Sequence, residues 1–301
     1  MRIGRLSLIG CSLWAVSIMV WDLAAAQASE KPTVDFIIAA LKQQEANCGP
    51  SLQVKYTVDW LGPVEPGGLH YEARYIRTRE IIFKEQKNGS WRSASPGDCE
   101  FGCGIVKYSY ARATTVCREL AADTSGKWKT GVVTTAPLPS RLMSTPVMDP
   151  VLYALSGIGP LVEAIKGGSV RETQEAIEGQ QCWRIDIPEK VVSVDGIRMA
   201  WVVWVDPGIG YCPRRISLTT IKADTTETMV HDFLEYRSIG NGVYFPMRIT
   251  VRYGETLTSG LDFRAQEAVC GTVVSPEEIQ VKFPSGTEVR VLPENIEYTE
   301  P

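Results

Sequence analysis

The feature that most constrains this chain is a stretch of strict alternation that opens on a tight turn. After Gly240-Asn241-Gly242, the residues Val243, Phe245, Met247, Ile249, Val251 and Tyr253 recur at every second position, with Tyr244, Arg248, Thr250 and Arg252 between them. Period two means extended backbone with one dry and one wet face, the pattern of an antiparallel sheet packed on one side. The Gly-Asn-Gly turn readily takes positive φ, so residues 227–239 are predicted to pair with residues 243–253. A second hairpin is predicted between residues 198–205 and 214–221, across Asp206-Pro207-Gly208-Ile209-Gly210. Tyr211-Cys212-Pro213-Arg214-Arg215-Ile216 and Tyr244-Phe245-Pro246-Met247-Arg248-Ile249 repeat one pattern, aromatic-x-Pro-x-Arg-Ile. Each copy follows a glycine turn and opens a strand, where the missing proline donor is tolerated.

The first half continues the theme. Val54, Tyr56, Val58 and Trp60 alternate with Lys55, Thr57 and Asp59, and Leu69, Tyr71, Ala73 and Tyr75 alternate with His70, Glu72 and Arg74. Residues 63–68 are a turn-rich connection. Asn88-Gly89 predicts a hairpin between Ile81-Ile82-Phe83 and Trp91, and residues 105–116 form a further long β-prone stretch.

Helices are few. Pro32-Thr33 is a stop and cap before Val34, Ile37, Ile38 and Leu41, which share one helical face, and Asn47-Cys48-Gly49-Pro50 ends that helix. Between residues 136 and 168 prolines and glycines frame two short apolar helices. The first starts at Asp149-Pro150 and breaks at Gly157-Ile158-Gly159-Pro160, and the second stops at Gly167-Gly168. Only Glu163 and Lys166 are charged, whereas a surface helix keeps one polar face. These helices must be sandwiched, or must cover something apolar.

Residues 1–28 read as a cleavable signal peptide. Arg2 and Arg5 precede an uncharged, mostly apolar stretch from Leu6 to Trp21, and Ala26 and Ala28 occupy the small-residue positions before Ser29. Leu8-Ile9-Gly10-Cys11 looks like an acylation box but leaves too short an apolar segment before the cysteine. The expected organisation is a body over residues 29–274 and a C-terminal tail over 275–301, with no transmembrane segment in the mature chain and a periplasmic or otherwise extracytoplasmic location. Without the leader, 29 basic residues face 34 acidic ones. That balance argues against nucleic acid or an anionic membrane surface as a main partner.

Seven of the eight cysteines lie beyond the leader, which fits structural disulfides in an oxidising compartment. Their pairing cannot be deduced from spacing. Zinc is disfavoured, since no C-x-x-C pair is present and His70 and His231 are the only histidines. Hydrolase, zincin, P-loop and dinucleotide signatures are absent. Both histidines fall in predicted strands, as solvent-facing or core-rim residues. No catalytic residue, metal or cofactor is predicted.

What remains unusual is apolar. Trp201, Val203 and Val205 form one face of their strand, while Ala200, Val202 and Trp204 make the other nearly as apolar, so helices or a ligand should cover it twice. The predicted architecture is mainly β with a few helices: a curved antiparallel sheet forming an unclosed half β-barrel, with helices over its concave face. An apolar cavity there would be lined by Tyr56, Trp60, Trp201, Val203, Phe245 and Met247 from the sheet. The helical lid would contribute Val151, Leu152, Leu155, Ile158, Leu161, Val162 and Ile165. Burying hydrocarbon yields ~0.8 kcal/mol per CH₂, so an acyl chain of about 16 carbons could gain on the order of 10 kcal/mol before ordering costs.

The order of leader, amphipathic helix, strands, apolar helical insertion and meander resembles the LolA-like outer-membrane lipoprotein-sorting superfamily. The likeness rests on Trp204-Val205-Asp206-Pro207, on Gly210 followed by Tyr211-Cys212-Pro213-Arg214-Arg215-Ile216, and on Glu235-Tyr236 leading to Asn241-Gly242-Val243-Tyr244-Phe245-Pro246-Met247-Arg248-Ile249. Phe283-Pro284-Ser285-Gly286-Thr287-Glu288-Val289 looks like the closing segment of such proteins. The resemblance implies an unclosed barrel whose apolar hollow is plugged by helices. It also implies a non-enzymatic binder or carrier of lipid or lipoprotein acyl chains in the cell envelope. In the carrier, a buried arginine ties the helical lid to the sheet, and no position of this sequence aligns with it. The alternatives are an envelope sensor or scaffold that binds a protein partner on the same fold, and an unrecognised extracytoplasmic enzyme.

Overall fold

The structure, a computed structural model, describes residues 30–62, 70–78, 81–91, 101–111, 116–122, 127–135, 160–191, 198–222, 225–253, 259–292 and 294–301. The leader, the first apolar helix of the insertion and the turn at 63–68 lie outside the described residues.

Helix α1 (Val34–Asn47) begins where expected, with the Thr33 hydroxyl accepting a hydrogen bond from the Phe36 amide. Six strands follow: β1 (Ser51–Leu61), β2 (His70–Thr78), β3 (Ile81–Trp91), β4 (Phe101–Ala111), β5 (Val116–Ala122) and β6 (Trp128–Thr135). Helix α2 (Pro160–Ile165) leads to β7 (Ser169–Ile177), β8 (Gln180–Val191), β9 (Arg198–Asp206), β10 (Cys212–Ile221), β11 (Thr226–Ser238), β12 (Tyr244–Tyr253) and β13 (Ser259–Cys270). Helix α3 (Pro276–Ile279) and strands β14 (Glu288–Leu292) and β15 (Ile296–Thr299) complete the chain.

All the described strands form one curved sheet, in the order β15-β14-β6-β5-β4-β3-β2-β1-β13-β12-β11-β10-β9-β8-β7. It stays open, with β15 and β7 at its two edges. Every neighbouring pair is antiparallel except β14 with β6. Two meanders thus meet where β1 pairs with β13, from Leu52 opposite Cys270 to Leu61 opposite Gly260.

The hairpins predicted around Asp206–Gly210 and Gly240–Gly242 both form. Asn241 and Gly242 take φ of 52° and 71°, the left-handed values that this turn chemistry supplies. The hairpin predicted at Asn88-Gly89 does not form. Strand β3 runs straight through it and pairs with β4 from Ile81 opposite Ala111 to Trp91 opposite Phe101. A turn at Asn88 would leave only a stub to pair with residues 81–87, so the longer ladder wins. The stretch 105–116 is likewise two strands, β4 ending at Ala111 and β5 starting at Val116.

The two faces of the sheet carry separate cores. On the concave face, α1 and α2 pack against β1, β2 and β7–β13 in one apolar cluster. On the other face, Ile279 and Val281 from the C-terminal segment pack on Ile76, Phe83 and Leu120. There the Val281 amide donates to the Ser109 hydroxyl at 3.0 Å. A Cβ at Gly131 would lie 2.7 Å from the Phe283 ring, so a side chain there would push the crossing segment off the sheet.

Candidate functional site

The concave face is built by alternation carried across strands. Trp60 stands opposite Leu261, Leu261 opposite Val251, Val251 opposite His231, His231 opposite Ile216 and Ile216 opposite Val203. Directly opposed residues share a face, so these side chains form one row across six strands. The next row outward runs Tyr253, Met229, Leu218 and Trp201. The Trp60 and Tyr253 rings meet edge to face at 5.9 Å.

Helix α1 covers the opposite end of this face. Its stripe of Ile37, Ile38 and Leu41 is buried, and Gln44 extends it as a buried polar residue. The Gln44 amide oxygen accepts from the Tyr244 backbone N–H at 3.2 Å. Its amide nitrogen crowds Gly210, where a Cβ would lie only 2.2 Å away and φ is +69°. Asn241 donates to the Asn47 carbonyl at 3.3 Å. Phe36 meets Tyr211 edge to face at 5.4 Å. Both copies of the aromatic-x-Pro-x-Arg-Ile pattern therefore open at the turns on which α1 rests. Glu45 faces Arg77, a buried arginine of β2, at 3.7 Å. Finally, Cys48 is joined to Cys270 by a disulfide. Helix α2 buries Leu161, Val162 and Ile165, touches α1 and β8, and leaves Glu163 and Lys166 paired in solvent.

Of the residues predicted from sequence, Tyr56, Leu161, Val162, Ile165, Val203 and Phe245 are buried together in this concave core. Trp60, Trp201 and Met247 pack against it half-buried. Val151, Leu152, Leu155 and Ile158 lie outside the described residues. Sequence reasoning missed Gln44, Glu45 and Arg77, although Gln44 and Glu45 continue the helical spacing of Leu41. It also missed Phe233 and Phe263, both signalled by alternation.

His231 corrects an expectation: it lies at 1% exposure in the concave core, not on the core rim or facing solvent. Burial pushes its pKa down to about 4, against an opposing pull from Asp232, so it is neutral at pH 7. His70 does face solvent and contacts Asp59 at 2.6 Å. The apolar outer face of β9 also differs from expectation. Among the described residues the cover on Trp204 is polar: Arg184 stacks 5.4 Å from its ring, and its indole N–H donates to Glu175 at 2.7 Å. Further along that face Asp232 binds Arg215 and Arg252, while Asp262 binds Arg248 and Arg264. Cys182 and Cys212 are buried free thiols whose pKa values burial and then Asp206 push up to about 12. Among the described residues no acidic, histidine and cysteine cluster could hold a metal ion, and no helix is long and apolar enough to cross a membrane.

By sequence, no family model matches the chain, and no curated protein matches it either. Solved structures do. A domain named for outer-membrane lipoprotein sorting, from Vibrio parahaemolyticus, superposes with a TM-score of 0.51 over 80% of this chain and 95% of that one, at 11% identity. A DUF1329 family protein from Desulfovibrio piger gives 0.50 over 83% of this chain and 100% of that one, at 10% identity. The chain thus shares the fold of these two proteins: a large antiparallel sheet, curved and unclosed.

Proposed function

We propose that the chain is a non-enzymatic, extracytoplasmic binder or carrier of acyl chains, held between the helices and the concave face of its body. The observation that carries this reading is the concave face itself. It is apolar from β2 through β1 and β13 to β7, apart from buried His231 and Arg77, and is covered by short helices. The described residues of the predicted lining, Tyr56, Trp60, Leu161, Val162, Ile165, Trp201, Val203, Phe245 and Met247, are proposed to contact hydrocarbon. The likeness to a lipoprotein-sorting domain supports the same class of ligand. The Cys48–Cys270 disulfide supports an oxidising location, in agreement with the leader.

Native mass spectrometry and lipid extraction of protein purified without detergent test this. Acyl-chain species at about one per chain are expected, with the apo protein taking up a fluorescent fatty acid. Absence of both overturns the proposal.

A further inference from the structure

Burial falls in one direction along four strands of the concave face, while on β10 Leu218 stays buried at 3% exposure. On β9 it runs from Val205 and Val203, both 0% exposed, to half-buried Trp201; on β11, from Phe233 and His231 to half-buried Met229. On β12, Val251 is 0% exposed and Tyr253 half-buried, and on β1, Val58 is 0% exposed and Trp60 half-buried. At this end four strands present a large, partly open apolar side chain.

The other end is fastened. Helix α1 reaches the turn before β10 through Tyr211 and Gly210, the turn before β12 through Asn241 and Tyr244, β2 through Arg77, and β13 through the disulfide. Swinging α1 aside would break the non-covalent contacts, and the disulfide at its C-cap Cys48 holds that end of the helix against β13.

We propose that α1 is a fixed strap over one end of the concave face, and that a hydrocarbon ligand enters and leaves at the opposite end, between Trp60, Tyr253, Met229 and Trp201. This rests on the acyl-chain reading above. A portal residue sets the height of the passage, so changing its bulk alters entry and exit together. A residue that only holds bound ligand alters exit alone.

The test is the exchange kinetics of cis-parinaric acid, with hydrogen exchange of the ligand-free protein alongside. Tyr253→Ala is expected to speed entry and exit together by about tenfold, and Met229→Phe to slow both, with Kd moving less than about threefold. Reducing the Cys48–Cys270 disulfide is expected to leave exchange within about twofold. The α1 amides of the oxidised, ligand-free protein should exchange more slowly than those of α2. Exchange that accelerates tenfold or more on reduction makes α1 the lid and overturns the proposal. So do portal variants that move exit alone or neither rate. If no form binds the probe, the lipid reading fails and the portal with it. Hydrogen exchange then decides the strap separately: fast α1 exchange removes it, and slow exchange retains it.

Discussion

The phenol of Tyr236 donates a hydrogen bond of 2.6 Å to the carbonyl of Pro213, across strands β10 and β11, and the Arg214 guanidinium lies 4.8 Å from the same ring. Strand β10 is irregular here, its register shifting between Pro213 and Arg215. The phenol supplies this half-buried carbonyl with a donor. Tyr236→Phe keeps the ring and removes only the donor. A loss of about 1–2 kcal/mol is expected, seen in urea unfolding as a lower midpoint at unchanged slope.

His231 makes stability depend on pH. Its folded pKa, about 4, lies below the ordinary value of 6.5, so the unfolded chain binds the proton more readily. Stability contributed by keeping this group neutral is present above pH 6.5 and is lost as pH falls through 6.5 towards 4. The full effect is about 3 kcal/mol. His231→Leu should flatten the stability profile in that window, as measured by denaturant unfolding at each pH. An unchanged slope would show that other groups set it.

Cys182 and Cys212 should behave as inert apolar residues. With pKa values near 12, their thiolate fraction at pH 8 is about one in ten thousand, and both side chains are out of solvent. Mass-spectrometric mapping after N-ethylmaleimide treatment should find both unmodified in the native protein and both modified in urea. Rapid native labelling of either would contradict the burial.

The double change Cys48→Ser with Cys270→Ser should lower stability by about 2–5 kcal/mol, because the bond closes a long loop in the unfolded chain. Thermal unfolding under non-reducing conditions measures it. The non-covalent anchors of α1 should keep the helix docked at room temperature.

Legibility in the sequence followed the range of the interaction. The turn at Gly240–Gly242 was readable because its glycines and asparagine fit positive φ whatever lies elsewhere. Asn88-Gly89 carries the same local preference, yet β4 offered β3 a longer ladder, and the dipeptide stayed extended. The apolar floor was readable because period two assigns a side to each residue, and Tyr56, Val203 and Phe245 are buried in one cluster. His231 shows the limit: alternation between Met229 and Phe233 puts it on the inner face, but a histidine's polarity argued for the rim. The pairing of β1 with β13, the Cys48–Cys270 bond and the Glu45–Arg77 contact join segments far apart in the chain, and no local pattern encodes them.

The disulfide also changes what kind of object the chain is. Cys48 and Cys270 are 222 residues apart in sequence, so their bond makes a covalent ring that contains both meanders and α2, while α1 hangs from it as a pendant. A single proteolytic cut anywhere within that ring opens it without releasing a fragment. A protease would need two cuts within the ring, or one cut and a reductant, before any of it could be carried away.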